Sequence, residues 1–464
     1  MYGKVTTDIR RTLEGIVGPG FVSDKPEELE KHGMDETSEP PHLPDVVVKP
    51  AGTAEVSAIM RLAYQEKIPV TPQGSRTGLS GGAHPLFGGI ALSLERMNKI
   101  LEIDENDLMA VVQPGVLIME IHRETEKKGL LYPPDPGEES GSLGGNISTN
   151  AGGVRGLKYG VTRDYVQGLV AVLANGDVIR LGEKFIKDSS GYSLMDLIIG
   201  SEGTLAVVTE ATLKLVPMSR NTALVYIPFN STRDASQAVS EIIRRKVVPY
   251  ALEYISQYSV LAAERYLNRS LPDNKHPAYL LIGVEGNSST EVDAALETVG
   301  EVCLECGAVN AFVADTAARQ QQLWEARKCL FTAHKAESDL DEVDMCIPRS
   351  RFPDYIEAAE KVMEKHGILV DCIGHAGDGN IHANIFRKDM EQVEWLKKSR
   401  AVVSDLVEIG LTLGGTVSGE HGIGFTKKAY LPMKVGQEQL ELMKAIKKTF
   451  DPQNILNPGK LFDL

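Results

Sequence analysis

PQGSRTGLSGG at residues 72–82 and GEESGSLGGNISTNAGGVRGLKYGVTRDYVQG at residues 137–168 decide how this chain reads. The first holds four glycines in eleven residues and the second nine in thirty-two, in a chain with 44 glycines among 464 residues. Glycine tolerates positive φ and lets the backbone approach a ligand closely, so successive N–H groups can turn inward as an anion-binding nest. The Ser, Thr and Asn residues between the glycines add side-chain donors. A pyrophosphate can therefore be held by backbone dipoles. The spacing Gly74-x-x-x-Gly78-x-x-Gly81-Gly82 is not G-x-G-x-x-G, so the dinucleotide fingerprint is absent, and no Gly-Lys-Ser/Thr follows to make a P-loop.

Short strands alternating with helices surround these loops. Val46–Lys49 reads as an apolar strand. Thr53 is placed to cap a helix in which Val56, Ile59, Met60 and Ala63 recur at i, i+3, i+4, i+7. Ile68–Thr71 reads as the strand that feeds the first loop, Ile90–Leu94 and Met109–Gln113 as further strands, and Pro114–Lys128 as a helix opened by Pro-Gly. Leu169–Ala174, Asn175-Gly176 and Asp177–Leu181 predict a hairpin with a two-residue type I′ turn. Thr204–Val216 alternates as another strand, and Pro217 marks a boundary near residue 218.

Beyond it the texture changes. Strands are expected at 223–229, 278–285, 308–313, 343–347, 369–373 and 381–386, with helices at 234–245, 291–306, 316–337, 354–366, 389–412 and 437–449. That rhythm suits an α+β domain with an antiparallel sheet. The expected organisation is residues 1–218, 219–430, and a C-terminal segment 431–464 returning to the first domain.

Composition narrows the function. A net charge of −15 with no basic stripe argues against nucleic acid. No run of 18 apolar residues occurs, and the N-terminus has no signal-peptide core, so a cytoplasmic protein is expected, membrane-associated only through a partner. Five cysteines with a single CxxC, Cys303 and Cys306, read as structural thiols. The acid runs 24–39 and 337–344 read as solvated surface, and His84, beyond the first loop, as a surface or turn residue.

PQGSRTGLSGG, PPDPGEESGSLGGNISTNAGG and GSEGTLAVVTEATLKL resemble, in order, the FAD-binding domain of the vanillyl-alcohol oxidase/p-cresol methylhydroxylase flavoproteins. The resemblance runs from about residue 45 to the C-terminus and is greatest to the branch of FAD-linked D-2-hydroxyacid dehydrogenases, which includes D-lactate dehydrogenases and glycolate oxidase flavin subunits. It implies a two-subdomain FAD-binding domain plus a substrate (cap) domain. It also implies that Pro72, Gln73, Gly74, Ser75, Arg76, Thr77 and Gly78 cradle the pyrophosphate. Asp135, Ser142, Gly145, Ser148, Thr149, Asn150, Ala151, Glu202, Gly203, Thr204, Val208 and Asn457 would line the rest of the FAD. Relatives with covalent flavin carry a histidine in the first glycine loop; GSRTGL at 74–79 has none, so non-covalent FAD is expected.

A second chemical cluster lies in GHAGDGNIH at 374–382 and SGEHGIG at 418–424. Each histidine alone would more often be a structural residue. Three of the ten histidines bunched with Glu420 in two glycine loops point instead to a divalent-metal set, with Zn²⁺, Fe²⁺ and Mn²⁺ all compatible. The resemblance implies that His375, His382 and Glu420 bind the metal and that His421 is the base. It implies further that Asn384 contacts substrate and that Arg327, in WEARK at 324–328, pairs with the substrate carboxylate, a task suited to a planar guanidinium fork. Relatives acting on 2-hydroxyglutarate use polar and basic groups about four and fifteen residues after that arginine. Here Phe331 and the acidic stretch 339–344 stand there, which favours a small monocarboxylate.

The expected activity is oxidation of a small D-2-hydroxy acid, D-lactate to pyruvate first and glycolate to glyoxylate second, with hydride passing to flavin N5. No iron–sulfur cysteine cluster or NAD fingerprint is present, so electrons are expected to pass to a partner; the resemblance implies an electron-transfer flavoprotein, an iron–sulfur subunit or a quinone. Two other classes compete: a metal-dependent hydrolase, which leaves the glycine loops unexplained, and a flavin-bearing electron-transfer subunit with an inactive site.

Overall fold

The computed structural model describes residues 2–464, which divide into two compact units. The first runs to Ala151 and takes in Val161–Met218 and Glu420–Leu464; the second comprises Gly152–Gly160 and Ser219–Gly419.

The first unit is built on two sheets. One orders Val22–Ser23, Val46–Val48, Ile90–Ser93 and Val70–Gln73, the last three parallel. Parallel strands are covered on both faces, and Val46–Val48 and Ile90–Ser93 are buried throughout, as their largely apolar character requires. Helix Thr53–Glu66 lays Val56, Ile59, Met60 and Ala63 into the same core. Gly52, not Thr53, is its N-cap, and the Thr53 hydroxyl donates to Thr209 at 2.9 Å. The C-terminal segment closes this sheet: Val70 donates to Ile455 and Asn457 donates to Val70, both at 2.7 Å. The second sheet is antiparallel, ordered Ile100–Asp104, Met109–Val112, Val207–Lys214, Val166–Val172 and Val178–Gly182.

The hairpin of the last two strands corrects one expectation. Gly176 has φ +86°, but Asn175 is not in the positive-φ region. Leu173 pairs with Asp177, and Gly176 donates to Leu173 at 2.9 Å. The loop therefore has three residues, a type I turn followed by a left-handed glycine, rather than a type I′ pair.

The second unit centres on a seven-stranded antiparallel sheet. Its order is Phe312–Ala314, Asn221–Phe229, Ala278–Gly286, Ala251–Ser256, Val370–His375, Asn380–Phe386 and Leu340–Cys346. Ala251–Ser256 and helix Gln257–Leu267 fall in a stretch to which the sequence pattern assigned no element. The single helix expected over 316–337 is two, Ala317–Lys328 and Leu330–Glu337, broken at Cys329. No glycine or proline marks that break, so the periodicity reads straight through it. The second unit ends at Gly419 rather than near 430, because the turn that follows is hydrogen-bonded to Ser80 and Glu202 of the first. Among the described residues, no helix is long and apolar enough to cross a membrane.

Candidate active site

In the first unit, strand Val70–Gln73 delivers the chain into the first glycine loop. Gly74 is required by close approach: a Cβ there would stand 2.0 Å from the Ser142 hydroxyl, which also accepts the Ser75 N–H at 3.2 Å. Arg76 holds φ +63°, and the N–H groups of Arg76, Thr77 and Gly78 take no partner among the described residues. Three unmatched donors on a turned backbone are what a phosphate cradle needs. Asn150, at φ +54°, caps helix Leu143–Thr149, and the Asn457 amide donates to Gly82 and Glu202 carbonyls at 3.1 and 2.8 Å. Buried polar atoms without partners stand nearby in this unit: Ser201 Oγ, Asn146 Nδ2 and Asn457 Oδ1. Glycine-made room and orphaned polar atoms fit a phosphate-bearing cofactor.

Several expected cofactor residues have side chains committed elsewhere. Gln73 donates to the His32 and Ala83 carbonyls at 2.8 and 2.7 Å. Thr204 donates to Ser201 at 2.7 Å, and Asp135 accepts the Gly137 N–H at 3.3 Å. Ser148 and Thr149 donate back to Gly144 and Gly145 in their own helix. Pro72 packs against Gly203, and Val208 and Ala151 are buried, so these positions offer backbone and apolar surface.

Glu202 accepts the N–H groups of Ile423 and Gly424, both at 2.7 Å, while itself 7% exposed at φ +53°. Burial raises its pKa against the pull of those two bonds and of Lys460. From the other side, Ser80 donates to the carbonyls of His421 and Gly422 at 2.8 and 3.0 Å. Gly424, at φ +52°, lies so close to the Ser80 carbonyl that a Cβ would stand 1.7 Å from it. The turn carrying Glu420 and His421 is thus clamped within the first unit.

His84 corrects the surface reading. It is fully buried, with Nε2 3.0 Å from the Asp35 carboxylate and Nδ1 3.2 Å from His42, and its carbonyl accepts Lys460 at 2.6 Å. Asp35, in the first acid run, is buried with it. Burial pushes the Lys460 amine down to about 7.

In the second unit, strand register gathers the polar side chains. Residues directly opposite in an antiparallel pair share a face. His382 lies opposite both Ile373 and Asp344, Asn384 opposite both Asp371 and Glu342, and Asn380 opposite His375. Glu253 sits beside Tyr254, which pairs with Gly374, so it stands alongside His375. One face of three adjacent strands and their neighbour is therefore lined with carboxylates, imidazoles and amides. Every residue of Asn380–Phe386 is nevertheless buried.

His375 and His382 stand with ring centroids 5.5 Å apart and planes at 90°. A nitrogen of each lies within 4.8 Å of the other's. His375 Nδ1 is 2.8 Å from both oxygens of Glu253, and His382 Nδ1 is 3.0 Å from Glu342. A proton on each Nδ1 leaves the lone pair on Nε2, the tautomer a metal-binding histidine needs. This donor set fits a divalent cation.

Arg327 comes from helix Ala317–Lys328 and is 9% exposed. Its Nε and Nη2 reach Glu253 Oε2 at 2.8 and 2.6 Å, and Nη1 takes no partner among the described residues. Burial works to raise the Glu253 pKa, but its contacts with His375 and Arg327 outweigh it and hold the carboxyl below its usual range. Asn384 is 1% exposed, and neither side-chain atom has a partner at good hydrogen-bond geometry. Beside it, Ser259 donates to Asp371 at 2.5 Å and lies 3.1 Å from His334. Burial raises Asp371 to about 6 and lowers His334 to about 4.

The structure thus brings Arg327, His375, His382 and Asn384 onto one face of the second unit. Glu420 and His421 lie in the first, their side chains 3.9 Å apart. Glu253, Glu342 and Asp344 went unread as functional residues. The second acid run is solvated surface only in part: Asp339 is exposed, but Asp344 is fully buried and accepts Asn380 at 2.7 Å, Ser418 at 2.8 Å and the Gly419 N–H at 2.9 Å. All five cysteines are free thiols; Cys303 is fully buried and pushed up to about 12.

Residues 44–182 match the family described as FAD binding domain, and residues 218–461 match that described as FAD linked oxidases, C-terminal domain. The chain is 42% identical to a D-lactate dehydrogenase of Anaerostipes hadrus, over 90% of this chain and 89% of that protein. It is 40% identical to the glycolate oxidase subunit GlcD of Bacillus subtilis (strain 168), over 99% of this chain and 97% of the relative. p-Cresol methylhydroxylase with substrate bound shares its fold, with a TM-score of 0.82 at 18% identity across 99% of this chain and 98% of the other.

Proposed function

The chain belongs to the FAD-linked oxidases, and we propose that within them it oxidises a small D-2-hydroxy acid, D-lactate to pyruvate first and glycolate second. The observation that carries this reading is Arg327. A buried guanidinium is fixed along one edge by Glu253, with Nη1 left to meet an anion on a face that also holds two imidazoles. Bidentate and charge-assisted contacts of this kind suit a carboxylate. Asn384, buried with amide atoms lacking well-formed bonds, offers a donor and an acceptor to the same ligand.

FAD, when bound, supplies the hydride acceptor, and a divalent cation supplies Lewis acidity at the 2-hydroxyl. His375, His382 and Glu420 would hold the cation. His421 takes the hydroxyl proton as general base. The backbone of 74–78 and the helix at 143–149 would hold the non-covalent FAD. Electrons pass onward to an electron-transfer flavoprotein, an iron–sulfur subunit or a quinone, since the sequence carries a single CxxC and no G-x-G-x-x-G.

A monocarboxylate is favoured over a 2-hydroxy diacid. Glu342 and Asp344 share the face of His382 and Asn384, and a second substrate carboxylate there would meet like charge.

The test is anaerobic flavin bleaching by D-lactate, L-lactate, glycolate and D-2-hydroxyglutarate. Fast bleaching by D-lactate, or by glycolate, supports the reading. No bleaching by any of the four, or preference for D-2-hydroxyglutarate, overturns it.

A further inference from the structure

Glu253 is fully buried, on a central strand of the seven-stranded sheet, yet no element of the expected chemistry uses it. Its carboxylate does two things at once. One oxygen receives the Nε–Nη2 edge of Arg327 at 2.8 and 2.6 Å. Both oxygens lie 2.8 Å from Nδ1 of His375. A buried carboxylate with two cationic or proton-bearing partners is not idle packing. A buried charge left unpaired is strongly destabilising, so Glu253 is held in place by both partners and holds both in return.

We infer that Glu253 is the positioning residue that ties the metal half of the site to the carboxylate-binding half, through His375 on one side and Arg327 on the other. Toward His375 it fixes the Nδ1–H tautomer, so that Nε2 presents its lone pair to a cation. Toward Arg327 it takes one edge of the fork and sets the direction of Nη1. The two halves then share one carboxylate, and disturbing either is felt at the other. This inference rests on the proposed hydroxyacid reading of the site.

The test uses the purified FAD-loaded protein, depleted of metal and titrated with Zn²⁺ or Mn²⁺ against a chromophoric chelator, with flavin absorbance as the control for folding. Glu253→Gln keeps the shape but donates where it should accept. Its metal affinity is expected to fall by about 10–100-fold, the usual loss when a carboxylate behind a ligating histidine is removed. KM for D-lactate rises in the same variant, FAD content is unchanged, and Glu253→Asp recovers part of both losses. Arg327→Lys covers the case in which Glu253→Gln does not fold. A lysine keeps the charge but not the fork, and although residue 327 is not a ligand, metal affinity is expected to shift several-fold.

Wild-type metal affinity and KM in Glu253→Gln overturn the inference. In its place, unchanged metal affinity in Arg327→Lys does the same. Wild-type protein that takes up neither cation overturns both this and the metal part of the functional reading. Wild-type protein that binds metal but is bleached by no hydroxy acid overturns that reading alone.

Discussion

Glu202→Gln is the sharpest test of how the turn that carries His421, the proposed base, is held. Both oxygens of Glu202 are occupied by the N–H groups of Ile423 and Gly424, at 2.7 Å each. These amides lie two and three residues beyond His421. A carboxamide keeps one acceptor and turns an NH₂ toward the other N–H, donor against donor. Hydrogen bonds to charged groups contribute about 1.5–3 kcal/mol net. Losing one changes the population of the held turn by a factor of about 10 to about 150. The loss is local, because the Ser80 bonds to the His421 and Gly422 carbonyls remain.

Stopped-flow reduction by D-lactate under anaerobic conditions is the assay. A base displaced by even about 1 Å costs on the order of 100-fold. The rate constant of flavin reduction is therefore expected to fall by about 10–100-fold, with the FAD-to-protein ratio unchanged. Ser80→Ala removes one neutral hydroxyl proton shared between two carbonyls, worth about 0.5–1.5 kcal/mol, and is expected to slow reduction less. A Glu202→Gln protein that reduces at the wild-type rate, or one slowed less than Ser80→Ala, would refute the reasoning. So would a variant purified without flavin, because the Glu202 side chain would then serve the cofactor rather than the turn.

The remaining predictions concern other links of the chain. His421→Ala is expected to keep bound FAD and lose most turnover; an unchanged kcat would remove His421 from the role of base. Burial holds Asp371 at about 6, against 3.8 for the free group. A folded-state pKa above the unfolded one means the folded chain binds the proton more tightly. Stability is then full below pH ~4 and is lost as pH rises through about 6, a cost of about 3 kcal/mol at neutrality. Asp371→Asn removes that cost, so thermal melts from pH about 4 to about 7 should show the variant gaining on the wild type; a gap that does not change with pH would count against the assignment.

The first unit was legible because its glycines do work that only glycine can do. Gly74 and Gly424 stand where a Cβ would strike Ser142 and the Ser80 carbonyl, and such positions cluster visibly in sequence. Arg327, His375 and His382 were singled out by the resemblance, and they share one face of the second unit. Glu253 was not. ALEYIS places an acid in the middle of a strand, which in a single sequence looks like exposed surface, and its partners lie 74 and 122 residues away. Leu340–Cys346 misled for a related reason. LDEVDMC alternates as an edge strand with its polar side to water, yet that polar side faces inward, where Asn380 and His382 supply the partners. His84 was hidden likewise, since Asp35 and His42 lie 49 and 42 residues upstream.

Charge, not glycine, is what the site makes hardest to understand at first. The chain carries −15 and is proposed to hold two anions, a dinucleotide and a hydroxy acid. For the dinucleotide, unmatched N–H groups at 76–78 would answer the phosphates without formal charge. The substrate face of the second unit poses the opposite problem. Its one guanidinium, Arg327, is already matched by Glu253, while Glu342 and Asp344 press acid toward His382. Beyond Nη1 of Arg327, such a face is acidic and attracts a cation. A divalent ion held by His375 and His382 would reverse the balance, and each Nδ1–carboxylate bond would strengthen the histidine as a ligand. The same acids that would bar a second substrate carboxylate would thus favour a metal ion at the proposed site.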